Sequence, residues 1–131
     1  MNDLRNNQRC YVCGTENPSG LHAGFEIDRN TRTITGRFTP SSLHEGWQGI
    51  VHGGIISALL DEAMVKLAAH LGIHAVSAEI TVKFKAPASP GEELVIRGRI
   101  INEANRLVEA ESTVERGPVV IAEAKGKLLK V

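Results

Sequence analysis

Aromatic residues are scarce in this sequence, with three Phe, one Tyr and one Trp among 131 residues. An aromatic-lined cofactor cage is therefore not expected. Cysteine is scarce as well: Cys10 and Cys13 are the only two. Two cannot build a disulfide framework, and at this spacing they suit a reducing compartment. Neither sign of charge is in excess, with 15 Lys+Arg against 15 Asp+Glu. Nothing electrostatic favours nucleic acid or an anionic membrane surface. No apolar run approaches the ~20 residues of a membrane span, and residues 1–7 lack the apolar stretch of a secretory signal. The expectation is a cytoplasmic protein with no nucleic-acid and no membrane partner.

What is present is an ordinary globular composition, 42% hydrophobic and 23% charged, over a length that suits a single domain spanning residues 1–131. A chain this short has little room for a deep private pocket, so a site for a sizeable ligand is expected to be shared between subunits. Residues 1–20 are polar and turn-rich and read as an irregular arm. Residues 21–27 and 31–38 read as short strands, and residues 39–51 as a loop. The clearest helix covers residues 53–71, where Ile56, Leu60, Met64, Leu67 and Leu71 recur every three or four positions. Gly72 is placed to cap its C-terminus. Glu62, Lys66 and His70 form a stripe on the other side, expected to be solvated. Four strands follow, over residues 77–85, 93–101, 107–114 and 119–129. In the first, alternation puts Ile80, Val82 and Phe84 on one face and Ser77, Glu79, Thr81, Lys83 and Lys85 on the other. In the last, the row Ala122, Ala124, Gly126 suggests close approach to another element. This order predicts an α+β fold with a mostly antiparallel sheet.

The chemistry concentrates at the start of the helix, in the run from Trp47 through Gln48 and Gly49 to His52-Gly53-Gly54. Two glycines at a loop-to-helix junction allow a tight turn and present N–H groups that no helical carbonyl can satisfy. The helix dipole favours negative charge there, as an oxyanion hole requires. For the glycine pair taken alone, the favoured reading is that it serves only the turn, with His52 in a structural hydrogen bond. Asp61 shifts that balance. It shares a helix face with Gly54, Ser57, Ala58, Val65 and Ala68, all small or modest in size. A mid-helix carboxylate among such residues is neither a cap nor an obvious surface charge. A ligand or a neighbouring chain is expected to fill that space.

The run from His52 to Asp61 resembles the His-Gly-Gly…Asp signature of hotdog-fold acyl-CoA thioesterases of the phenylacetyl-CoA thioesterase type. Ser77 to Pro87 resembles the strand and Pro-terminated turn that follow the helix in that family, and the likeness extends over most of residues 20–131. It implies an antiparallel six-stranded sheet wrapped around one long helix. It also implies acyl-CoA thioester hydrolysis without a cofactor, CoA being part of the substrate, in a homodimer or a dimer of dimers. Asp61 would be the general base or the nucleophile. Gly54 N–H would polarise the thioester oxygen, His52 would hold the loop or touch the carbonyl, and Ser77 would position water. Gln48, Gly53 and Ser57 would line the substrate site. Asp61 of one chain would face the His52–Gly54 loop of the other. Several relatives carry Asn six positions before the His, where this chain has Gly46; Gln48 is the nearest amide.

Other signals are expected to be structural. Cys10-Tyr11-Val12-Cys13-Gly14 has the spacing of half a zinc knuckle, but a full site needs two further ligands and no second Cys pair exists. Two spare or buried thiols and no metal are expected. Lys83, Lys85, Arg97 and Arg99 are expected to solvate a sheet face and pair across strands, with Lys83 and Lys85 as candidates for the CoA phosphates. Two other functions share the fold expectation. One is a non-catalytic acyl-CoA-binding protein, which would not need Asp61. The other is an acyl-thioester dehydratase or hydratase, whose His-based motif is not found.

Overall fold

The computed structural model describes residues 4–131; residues 1–3 of the expected arm lie outside the described residues. Six strands and one long helix follow each other in the order β1 (Gly24–Asp28), β2 (Thr33–Phe38), α1 (Gly53–His70), β3 (Ala75–Phe84), β4 (Leu94–Glu103), β5 (Leu107–Arg116) and β6 (Val119–Lys130). A short 3-10 turn at Ser42–His44 interrupts the segment between β2 and α1 that composition had read as loop. All strand pairings are antiparallel, in the spatial order β1-β2-β4-β5-β6-β3. The α+β architecture of a six-stranded antiparallel sheet around one helix is the hotdog fold.

The helix touches every strand of this sheet. Leu59, Leu60, Met64 and Leu67 are fully buried on its inner side, against Ile34, Leu94, Ile96, Val108, Val114 and Leu128. Two strand glycines bring the layers close. A Cβ on Gly126 would lie 2.8 Å from Met64 Sδ, and one on Gly98 would lie 3.4 Å from Ala63 Cβ of the helix. The small-residue row of β6 therefore marks where α1 rests. At its C-terminus Gly72 adopts φ +82. Its N–H donates to Ala69 O and that of Ile73 to Ala68 O, the two bonds of a Schellman cap. No helix among the described residues is long and apolar enough to cross a membrane.

One face of α1 differs from the sequence expectation. Glu62 and Lys66 are not a solvated stripe; both are half-buried. The N-terminal arm folds back, with Leu21 N–H donating to Tyr11 O and Ala23 N–H to Val12 O. Val12, Leu21 and Ala23 join the core. Local periodicity shows which helix positions are polar, but a distant irregular segment decides whether water reaches them.

Candidate active site

The segment before α1 is built to present the helix start. Val51 N–H donates to Ala88 O and His52 N–H to His44 O, both at 2.8 Å, which fixes the approach of the chain. Glu45 and Val51 form an isolated antiparallel bridge, and between them the chain projects Trp47 and Gln48 outward. Trp47 is 82% exposed and Leu43 90% exposed. Trp47 opens the polar run that leads to His52, and no role was assigned to it from the sequence.

His52 is the N-cap of α1. Its Nδ1 accepts from Gly54 N–H at 2.7 Å, which puts the proton of the neutral imidazole on Nε2. A Cβ on Gly54 would lie 2.9 Å from that Nδ1, so the glycine leaves room for the cap. The Gly54 N–H that sequence reasoning assigned to a carbonyl oxygen is thus occupied within the chain. Among the described residues nothing accepts from Gly53 N–H. This donor and His52 Nε2–H are the groups left over at the positive end of the helix. Gly46 lies close to the same imidazole, where a Cβ would sit 3.3 Å from His52 Cα. An Asn at this position would need His52 to yield.

Asp61 lies two turns further along α1, half-buried. Its Oδ1 accepts from Ser77 Oγ at 2.5 Å. Strict alternation had grouped Ser77 with Glu79 and Thr81, facing away from Ile80 and Val82. The structure corrects this. Between Ser77 and Glu79 the register with β6 shifts, Ser77 pairing with Leu128 and Glu79 with Lys127. The bulge resets the pleat, so Ser77 faces α1 together with Ile80, Val82 and Phe84. Ser57 is one turn before Asp61 and is also half-buried.

Phe84 completes the arrangement, and the sequence did not single it out. Phe84 is 57% exposed, and its ring passes over the helix start, 3.4 Å from where a Cβ on Gly53 would be. Strand β3 therefore runs from Ser77 beside Asp61 to Phe84 beside Gly53, antiparallel to the helix. Lys83 and Lys85 are not brought to this side. Lys83 faces the outer groove of the sheet with Arg97, Lys125 and Glu123, and Lys85 pairs with Glu123 at 3.4 Å. The other outward charges pair as expected, Arg99 with Glu111 and Arg97 with Glu115.

The two cysteines are not spare thiols. Cys10 Sγ donates to Glu62 Oε2 at 3.3 Å, and Lys66 Nζ donates to Cys13 Sγ at 3.2 Å. Burial, reinforced by the hydrogen bond with Glu62, pushes the Cys13 thiol up to about 12.

No curated protein matches the chain. Among solved structures, a thioesterase superfamily protein superposes with a TM-score of 0.87 at 21% identity, over 94% of this chain. This chain spans only 61% of that protein's length. The PaaI protein from the phenylacetic acid degradation operon of E. coli superposes with a TM-score of 0.78 at 18% identity, over 85% of this chain and 80% of that one. A Streptococcus mutans UA159 protein bound to acetyl CoA gives 0.77 at 17% identity, over 83% and 88%. At these identities the likeness establishes the hotdog fold. The family model of the thioesterase superfamily matches residues 48–122, more than half of the sequence and the stretch that carries His52, Gly53, Asp61 and Ser77. The chain belongs to the thioesterase superfamily.

Proposed function

We propose that this chain is an acyl-CoA thioesterase that releases the free acid and CoA, with Asp61 as its base. The observation that carries this reading is the Asp61 carboxylate itself. It is half-buried in the middle of α1, and Ser77 holds one oxygen and leaves the other for water. Asp61 takes a proton from water as the water oxygen attacks the thioester carbonyl carbon. Gly53 N–H and His52 Nε2–H receive the carbonyl oxygen as it gains charge. The C–S bond then breaks, and the CoA sulfur leaves as the thiolate and takes up a proton. A structural neighbour holds acetyl CoA, which supports acyl-CoA as the substrate class, and the reading needs no resident cofactor.

The site is shared between two chains. Gly53 and Asp61 stand eight residues apart on one helix, which is about 12 Å along its axis. One thioester cannot meet both within a single chain. Strand β3 supplies the solution. It is an edge strand of ten residues, with Val76 and Phe84 exposed, and such an edge invites pairing. Antiparallel pairing of β3 with its copy across a two-fold axis places the Ser77 end of one chain beside the Phe84 end of the other. Asp61 then faces the partner copy's helix start. Lys83 and Lys85 remain candidates for the CoA phosphates from the outer face.

A panel of acyl-CoA esters, with free CoA followed by a thiol reagent, tests the reading. Turnover on at least one ester is expected from the folded wild-type protein. Absence of turnover across short, long and aromatic acyl groups would overturn it.

A further inference from the structure

We propose that Cys10, Cys13 and Glu62 form a binding site for one divalent, thiophilic metal ion of the zinc class, clamping the N-terminal arm to α1. The three ligand atoms come from two separate parts of the chain, a turn of the arm and the middle of the helix. They all lie within 4.8 Å of one another, and the Cys10 Sγ to Glu62 Oε2 separation is 3.3 Å. Zinc bonds of about 2.3 Å to sulfur and 2.0–2.2 Å to a carboxylate oxygen give tetrahedral edges of roughly 3.5–3.8 Å. The Cys10–Glu62 separation is close to that figure, and the other two edges, neither longer than 4.8 Å, reach it with a shift of about 1 Å or less.

The turn that carries the sulfurs is tightly built. Gly14 N–H donates to Cys10 O at 2.9 Å, and a Cβ on Gly14 would lie 2.4 Å from Cys10 N and 2.5 Å from Gln8 O. No other residue fits there, and both thiols are held toward the helix. The charges also balance. Two thiolates and one carboxylate carry three negative charges, a divalent ion leaves one, and the Lys66 ammonium on Cys13 Sγ neutralises it. An N–H donor on a metal-bound thiolate is the kind of outer contact that orients a ligand and tunes its donor strength.

A metal site explains the carboxylate better than a redox pair does. A Cys10–Cys13 disulfide would have no use for Glu62, whose charge opposes forming the thiolate that thiol exchange requires. A cation uses all three groups. The fourth tetrahedral position is left to water. Glu62 adjoins Asp61 in sequence but projects from the helix toward the arm, so the ion is structural and takes no part in thioester cleavage.

The test uses the full chain, reduced and stripped with a chelator, and titrated with Co²⁺ as the probe. We expect one equivalent per chain, with a near-ultraviolet thiolate-to-cobalt band and the strong visible absorption of a tetrahedral centre. Zn²⁺ should displace it stoichiometrically. Cys10→Ser and Cys13→Ser should each lose thiolate-band intensity and bind at least about a hundredfold more weakly. Glu62→Gln should keep both sulfurs yet bind at least about tenfold more weakly. Lys66→Met, which keeps all three ligands, guards against variants that fail to fold and should lose about 10–100-fold in affinity. No stoichiometric cobalt spectrum from folded wild-type protein would overturn the proposal, as would unchanged binding in either serine variant or in Glu62→Gln. The readout is spectral, so it stands or falls independently of the thioesterase reading.

Discussion

The Ser77 hydroxyl donates a 2.5 Å hydrogen bond to the Asp61 carboxylate, tying the edge strand β3 to the middle of α1. This bond fixes one carboxylate oxygen, and in the proposed reaction the other is the one that takes the proton from water. Asp61→Asn keeps the shape and the hydroxyl partner but removes the proposed base, so kcat should fall by roughly 10² or more with an unchanged circular dichroism spectrum. Ser77→Ala should cost less, about tenfold, the value of one hydrogen bond to a charged group. Equal losses in the two variants would mean that Ser77 does more than position Asp61. An acyl-CoA binder without catalysis would show no turnover to lose.

Gly53 offers an unusually clean deletion of a single N–H. It is the first residue of α1, where proline is well tolerated. His52 before it lies at φ −60 and ψ 134, in the polyproline II region that a residue preceding proline adopts. Gly53→Pro should fold and melt like wild type yet lose roughly 10²–10³ in kcat, the cost of one oxyanion donor. Full activity in this variant would return the role to another donor.

Subunit mixing tests the shared site. Asp61→Asn and Gly53→Pro chains should each be nearly inactive alone. After random exchange half of the dimers are mixed, and each mixed dimer has one site with both defects and one site with neither. About a quarter of wild-type activity per total site should return. No recovery after exchange verified by mass spectrometry would place both groups in one chain.

Glu103 gives a pH test of the sheet rim. Hydrogen bonds first from Lys130 and then from Arg32 hold its carboxyl below the ordinary value of 4.5. A carboxyl lowered in the folded state contributes stability above its unfolded value, and loses it as pH falls through the folded one. Glu103→Gln should therefore lower the urea midpoint at pH 7 and have a smaller effect near pH 3. The same loss at both pH values would show that the ion pairs contribute nothing, as fully exposed ones often do.

Much of this fold was legible because it rests on local patterns. The helix start at Gly53, the Gly72 cap and the succession of two strands, one helix and four strands follow from periodicity and turn chemistry, while the six-stranded wrapped sheet was implied by the family resemblance. The carboxylate at Asp61 stood out because its helical neighbours are small. Three features were not legible, each for a physical reason. The bulge at Ala78 changes which way Ser77 faces, and an extra residue in a strand leaves no mark in a hydropathy pattern. Gly54 N–H is satisfied by a side chain two residues earlier, which depends on the His52 rotamer rather than on spacing. Glu62 and Lys66 have the pattern of a solvated helix face until the arm, more than 40 residues earlier in the sequence, is laid over them.

Ser112 is the one buried polar residue among the described residues, and its hydroxyl donates to Leu60 O at 2.9 Å. Contacts between a helix and an apolar sheet are largely non-directional, so α1 could roll about its own axis at modest cost. Ser112 engages the carbonyl immediately before Asp61 from β5, while Ser77 engages Asp61 itself from β3. Together the two hydroxyls work as a rotational key. They set the azimuth at which α1 lies in its sheet, so the aim of the carboxylate is fixed from both sides of the core and not by the edge strand alone.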